Sequence, residues 1–491
     1  MPGPLVVVGD TLLDRDLTGT VDRLCPDAPA PVLDVRDSLD RPGGAGLAAA
    51  LAAELGVEVA LVTGLGSDAG AERLRELLLD VGVKVYAVPM VGPTPEKVRV
   101  RAGGQVLLRV DRAGARDQLD EVPPEALSVL NAANAVLVSD YGRGMTSLPA
   151  VRRAVQRAAR RRSLVWDPHP RGADPVPGAG LVTPNESELG QRVPEDGGRR
   201  PGRLASLARR AELLRERWDA RAIAVTLGGD GALVSHGGTT PLVVPAPARH
   251  GGDTCGAGDR FAAAATVALS RGAVVSEAVQ AAVVSAAQFV AAGGASGWRP
   301  DRGWASGDRA TTGLPRSLVD GRPPVGLAAA RAVAEATRSR GGTVVATGGC
   351  FDLLHAGHLA TLQAARGLGD CLIVCLNSDA SVRELKGPQR PIVNQHDRAR
   401  LVAALGCVDA VVTFDETTPH RLLAQLRPDI WVKGGDYFLD GPDDQPVLPE
   451  ADLVRGWGGQ TVVVPYLSGR STSGLISAAR SGRLNGEGDA S

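Results

Sequence analysis

Between residues 5 and 300, short aliphatic or β-branched runs alternate with alanine-rich stretches of helical period: LVVVG, AGLAAALAAELG, VEVALVTGLG, AERLRELLLDVG, AVLVSDYG, LVWDP and AIAVTLGGDG. Apolar runs separated by amphipathic helices predict a parallel sheet. Two segments break the rhythm, 31–36 (PVLDVR) and 97–111 (KVRVRAGGQVLLRVD), where period-two alternation predicts exposed antiparallel strands and a small flap. Residues 301–324 are rich in Gly, Arg, Pro and Ser without a sustained apolar period and predict a linker. Beyond it, LAAARAVAEATRSRG leads into TVVATGG, and the alternation resumes through LIVCLNSD, AVVTF, DIWVKGGD and TVVVPYL. The expected organisation is an α/β domain over 1–300, a linker over 301–324, a smaller α/β domain over 325–480 and a flexible polar tail over 481–491.

A length of 491 residues is ample for two such cores. Lys and Arg number 54 against 55 Asp and Glu, which removes the electrostatic basis for a general nucleic-acid or membrane-surface partner. The opening MPGPLVVVGD has no basic n-region, and its apolar run is far too short to span a bilayer, so a cytoplasmic location is expected. Six cysteines without CxxC or metal-like spacing predict buried free thiols. Only Lys84, Lys97, Lys386 and Lys433 are lysines, every other cation being arginine. Lys386 (LKGPQRP) and Lys433 (VKGGDY) persist beside glycines, where a compact ammonium that arginine cannot copy is the expected chemistry.

The segment Asp253-Thr-Cys-Gly-Ala-Gly-Asp259 precedes an apolar helical stretch, Phe261 to Leu269. A glycine turn opening a helix gathers N–H groups on one spot, suited to a phosphate in transfer, and an aspartate at its rim can accept a hydroxyl proton. This heptad resembles the second signature of the ribokinase-like (PfkB) sugar kinases. The resemblance implies a three-layer α/β sandwich with a small β lid, acting with ATP and Mg2+. It makes Asp259 the catalytic base and Gly256, Ala257 and Gly258 the anion hole. Asp10 and Asp14, at the end of the first strand, contact the sugar, as do Gly43 and Gly44 of RPGG and Lys97. Asn185 and Glu188 hold the magnesium shell through water, and Thr226, Gly228 and Gly231 line the nucleotide. Leu47 departs from the pattern, standing where the first signature usually has an Asn that bonds a sugar hydroxyl.

A second constellation, Gly348-Gly-Cys-Phe-Asp352-Leu-Leu-His355-Ala-Gly-His358, follows a strand and opens a helix. Two histidines three apart can face one anion at that helix N-terminus. The segment resembles the HxGH nucleotidyltransferases and implies a Rossmann-like domain in which His355, His358 and Lys386 stabilise the transition state as pyrophosphate leaves. By the same resemblance Gly349, Phe351, Asn377, Asp379, Arg398, Ser471, Thr472 and Ser473 bind nucleotide or phosphate. Asp352, Lys433 and Asp436 stand on the substrate side.

Taken in order, the two halves resemble the bifunctional D-glycero-β-D-manno-heptose 7-phosphate kinase/heptose 1-phosphate adenylyltransferases. That resemblance implies sugar phosphate and ATP as substrates and a homodimer through the lid strands. Two alternatives stay open: an adenylyltransferase with a divergent or inactive kinase domain, and the same pair acting on another sugar phosphate. The choice of ATP over CTP rests on the resemblance alone.

Overall fold

A computed structural model describes residues 3–112, 118–194, 202–238, 240–247, 253–299, 303–304, 325–435 and 448–465. The chain forms two compact units, each described by itself. It opens with β1 (Leu5–Gly9) and runs through two long strands, β2 (Thr11–Leu24) and β3 (Pro31–Gly44). Then come β4 (Val59–Leu65), β5 (Val83–Val91), β6 (Glu96–Ala102), β7 (Gln105–Arg112) and β8 (Gln118–Leu119). After them follow β9 (Ala135–Ser139), β10 (Ser163–Asp167), β11 (Leu181–Val182), β12 (Ile223–Thr226), β13 (Ala232–Ser235) and β14 (Leu242–Val244).

The main sheet of the first unit has the order β12-β11-β10-β9-β1-β4-β5, all parallel, with β8 antiparallel on the edge of β5. Every residue of β1, β4 and β9 is buried, as the unbroken apolar runs require of a sheet covered on both faces. Each fully buried Val or Leu there contributes about 1.5–3 kcal/mol of transfer free energy. Strand β1 lies between β4 and β9, so the strand order reverses beside it. The crevice at the carboxyl ends of β1 and β9 is where an open α/β sheet places its ligand.

The expected flap is a four-stranded sheet, β3-β2-β6-β7, in which β2 pairs antiparallel with β3 and parallel with β6. Strand β2 was not foreseen, and Asp14 lies on it rather than at the end of β1. Beyond the buried Leu12 and Leu13 its buried positions are the charged Asp14 and Asp16, which hides the period: Asp16 takes a forked contact from the buried Arg41 (2.7 and 3.3 Å), and Asp14 pairs with Arg99 at 2.6 Å.

Of the expected linker only Gly303–Trp304 is described; this β16 pairs antiparallel with β15 (Trp298–Arg299). The second unit holds β17 (Val344–Gly349), β18 (Cys371–Asn377), β19 (Ala410–Phe414), β20 (Ile430–Gly434) and β21 (Gln460–Val464), in the parallel order β19-β18-β17-β20-β21. Here the strand order reverses beside β17, whose end carries the histidine motif. Trp431 fills its core and packs so closely on Gly348 that a Cβ there would lie 2.7 Å from the indole. The tail 481–491 lies outside the described residues. All six cysteines are free, but only Cys371 and Cys375 are buried; Cys255, on the glycine loop, is exposed and the other three are half-buried. Among the described residues no helix is long and apolar enough to cross a membrane.

Candidate active sites

In the first unit, Gly256 (φ 81°) is the turn into the helix Ala257–Ser270. A Cβ at Gly256 would meet the Leu47 side chain at 2.9 Å and the Phe289 ring at 3.3 Å, so only glycine fits. Leu47 is therefore buried packing under the phosphate turn, on the residue the sequence marked as a missing sugar contact. The helix start leaves N–H groups without partners four residues back. Of the three expected anion-hole amides, that of Ala257 is already committed to the Thr254 carbonyl at 3.1 Å, while the space beside Gly258 is open.

Asp259 sits in the first turn of that helix, buried, with the Tyr141 hydroxyl 2.9 Å from each carboxylate oxygen. Burial pushes its pKa up to about 7; the Tyr141 hydrogen bond opposes the rise, Asp14 adds to it and Lys97 opposes it. Two further carboxyls stand at the neighbouring strand ends. Asp140 is raised to about 6, chiefly by burial, and accepts from the Gly142 amide (2.7 Å), the Thr146 hydroxyl (2.9 Å) and the Ala173 amide (3.1 Å). Asp167, at the end of β10, is held well above the usual carboxylate range by burial and by the charge of Asp259, and accepts from Thr183 at 2.7 Å. Sequence reasoning missed Tyr141, Asp140 and Asp167. Their signal was their place just past the apolar runs of AVLVSDYG and LVWDP, at the carboxyl ends of parallel strands.

The other expected residues gather here with roles the structure makes specific. Asp10 accepts the backbone N–H groups of Tyr141 (3.2 Å), Arg143 (2.9 Å) and Met145 (2.9 Å), and so fixes the loop that presents Tyr141. Lys97 pairs in register with Asp14 across β2 and β6. Gly43 keeps room for Asp14, because a Cβ there would lie 2.6 Å from its carboxylate; Gly44 (φ 61°) passes Asp10 with the same closeness. Asn185 and Glu188 form a reciprocal capping box, 2.9 Å in each direction, that starts the helix Glu186–Arg192. Thr226 bridges to Asn185, and Gly228 (φ 61°) and Gly231 (φ 97°) shape the turn that follows.

Among the described residues no three His, Cys, Asp or Glu side chains converge as a metal cage. The donor set that does exist is oxygen only, with the carboxyl of Asp167 sensing both Asp259 and Glu188. Such a set fits a hydrated Mg2+, which keeps several waters and takes its other ligands from substrate phosphates.

In the second unit, Phe351 (φ 47°) and Leu353 (φ 50°) hold left-handed backbone in the turn from β17 to the helix Ala356–Arg366. Side chains other than glycine pay for this conformation, a form of strain that collects at functional sites. His355 is the N-cap, its Nδ1 accepting the Gly357 N–H at 3.1 Å, which assigns the proton to Nε2. The His358 ring stacks on it at 4.0 Å between centroids and 25° between planes, and the Phe351 ring lies tilted against His358 at 5.3 Å. Burial, then His355 and Lys386, lower the His358 pKa to about 4, so this ring is neutral at pH 7. Lys386 is exposed at the end of the helix Asp379–Lys386. Gly349 lies under the Phe351 ring, 3.1 Å from where a Cβ would stand.

Several expected ligands make contacts within the scaffold. Asp352 accepts from Arg390 Nε (2.6 Å) and from the Ile392 and Val393 amides (3.0 Å each); burial opposes its charge, but these bonds hold its pKa below the usual value. Buried Arg398 bonds the carbonyls of Val393 (2.9 Å), Cys350 and Asn377 (2.9 Å) and pairs with Asp379 at 2.7 Å. It ties the motif strand to its neighbour. Asn377 donates to Ser381 at 2.9 Å. Lys433 pairs with the buried Glu450 at 2.8 Å and lies over the Trp431 ring. Asp436, Ser471, Thr472 and Ser473 lie outside the described residues.

Residues 4–302 match the pfkB family carbohydrate kinases, and residues 346–456 match the cytidylyltransferase-like family. The "Bifunctional protein HldE" of Streptomyces coelicolor is 53% identical over 479 residues, 98% of this chain and 97% of that protein. The protein of the same name from Chromohalobacter salexigens is 37% identical, covering 96% of each chain. Among solved structures, an Arabidopsis thaliana ribokinase complexed with ribose and ATP aligns with 59% of this chain and 93% of its own, at 23% identity and TM-score 0.46. The chain belongs to the bifunctional HldE family, a pfkB carbohydrate kinase followed by a cytidylyltransferase-like nucleotidyltransferase domain.

Proposed function

We propose that the first unit phosphorylates O1 of D-glycero-β-D-manno-heptose 7-phosphate with ATP, and that the second transfers AMP from ATP to heptose 1-phosphate, releasing pyrophosphate to give an ADP-heptose. A separate phosphatase removes the 7-phosphate between the two steps. The observation that carries this reading is the presence in one chain of Asp259 under the Tyr141 hydroxyl at one helix start and stacked His355 and His358 at another.

In the kinase step Asp259 takes the O1 proton as O1 attacks the γ-phosphorus, and ADP departs. A base with pKa near the working pH suits this transfer. The free N–H groups of the helix start meet the charge developing on the phosphoryl oxygens. Asn185 and Glu188, with Asp167 beside them, would hold Mg2+ through water, where it would supply neutralisation of ATP phosphate charge. In the second step a sugar phosphate oxygen attacks the α-phosphorus of ATP and pyrophosphate leaves. The Nε2–H of His355 and a neutral His358 stabilise the added charge by hydrogen bonding without forming a covalent intermediate. Lys386 adds positive charge from the rim.

The exposed Val106, Leu107, Leu108 and Val110 on β7 support a homodimer through the lid. We also place the enzyme in the cytoplasm. Buried Leu47, apolar where a sugar-bonding Asn is usual, favours as second reading the same pair of reactions on another sugar phosphate. Phosphate transfer to the synthetic heptose 7-phosphate, measured beside transfer to other sugar phosphates, tests both: preference for the heptose upholds the first reading, and preference for another acceptor installs the second.

A further inference from the structure

At the amino ends of β9 to β12, on the side of the sheet away from Asp259, lies a cavity of about 470 Å³. Arg160, Arg161 and Arg162, in the turn before β10, line it together with Arg221, just before β12. Ser163 and Ser270 add hydroxyls to the wall, and no carboxylate lines it. All four arginines are exposed and stand around the rim of an open concavity. None of the four cavity arginines has a side-chain hydrogen bond or ion pair among the described residues. Four like charges around one concavity repel one another and set up a positive potential focused into it.

We infer that this cavity is a binding site for a small molecule carrying two or more phosphoryl groups, separate from both catalytic centres. Guanidinium forks match phosphate oxygens in bidentate geometry, and the volume is that of a site for a nucleotide-sized ligand. The site is remote from the kinase chemistry. Strand β10 begins with Ser163 in the cavity wall and ends at Asp167 beside Asp259, four residue steps or about 13 Å away at the usual strand rise.

The test is calorimetric titration of inorganic triphosphate into the full chain and into R160S/R162S, without Mg2+. Phosphate binding at the two catalytic centres is common to both proteins and cancels. The wild type is expected to bind one equivalent more per chain, weakening at least tenfold between 50 and 200 mM salt, and the variant to lose that equivalent while keeping both basal activities. R221S provides a second, single-site variant with the same expected loss if the double variant folds poorly. Identical isotherms for wild type and both variants would overturn the proposal, as would a difference seen only with a duplex oligonucleotide. ADP titrated alongside separates the sources: tighter ADP binding marks a nucleotide ligand, and tighter triphosphate a free polyphosphate, both upholding the site.

Discussion

A single buried carboxyl sets the pH behaviour of the kinase half. Asp259 must be ionised to accept a proton, and its pKa lies near 7, so kcat/KM for phosphoryl transfer is expected to fall about tenfold per unit below that pH. Tyr141→Phe removes the hydrogen bond that favours the charged form; the acid limb should move to higher pH, giving a several-fold loss at pH 6.5 that shrinks above pH 8. An unmoved limb would show that Tyr141 does not govern the base. Stability carries the opposite sign. The folded pKa exceeds the ordinary 3.8, so folding is increasingly opposed as pH rises from that value through about 7. Asp259→Asn should lose about 10²- to 10⁴-fold in kinase kcat and raise the melting temperature more at pH 8 than at pH 4. For His358 the folded pKa, about 4, lies below 6.5; its neutral burial stabilises the second unit fully above 6.5, and this contribution is lost as pH falls through 4. The nucleotidyltransferase rate should therefore show no His358 limb between pH 6 and 8, and a limb near 6.5 would mean that the ring is charged in the active form.

At the scale of elements, the phosphate turn depends on a contact that no motif announces. Gly256→Ala must displace Leu47 and Phe289 or leave the left-handed region; it is expected to cost roughly 1–3 kcal/mol of stability and at least tenfold in kinase rate, read by denaturant melts and assay together. Retention of both would show the turn to be slack. Much of this level was legible in the sequence. Apolar runs gave the two parallel sheets, and the period-two segments gave the lid, because sheet burial writes itself as side-chain period. Strand β2 escaped because Asp14 and Asp16 replace apolar residues on its inner side, with Arg99 and Arg41 supplying the partners from far along the chain. The motifs located Asp10, Asp352 and Arg398 near the sites but could not show that each spends its polar atoms on backbone. That depends on which loops the fold brings within 3 Å. Tyr141 and Asp167 carried one signal, their place just past an apolar run, which marks a strand end without giving a role to the residue that stands there.

For the molecule as a whole, the account requires two independent chemistries in one chain. If the lid pairs two copies, Leu108→Asp on the exposed face of β7 should convert a dimer to a monomer in sedimentation velocity, leaving nucleotidyl transfer unchanged; a wild type that sediments as a monomer would remove that role for the lid. The most direct test of the central claim assays both reactions, phosphorylation of the heptose 7-phosphate and adenylylation of the heptose 1-phosphate, in wild type, Asp259→Asn and His358→Ala. The account predicts that wild type performs both, that Asp259→Asn loses only the first and that His358→Ala loses only the second. A wild type that adenylylates but does not phosphorylate any sugar phosphate, or an Asp259→Asn variant that keeps full kinase activity, would contradict it.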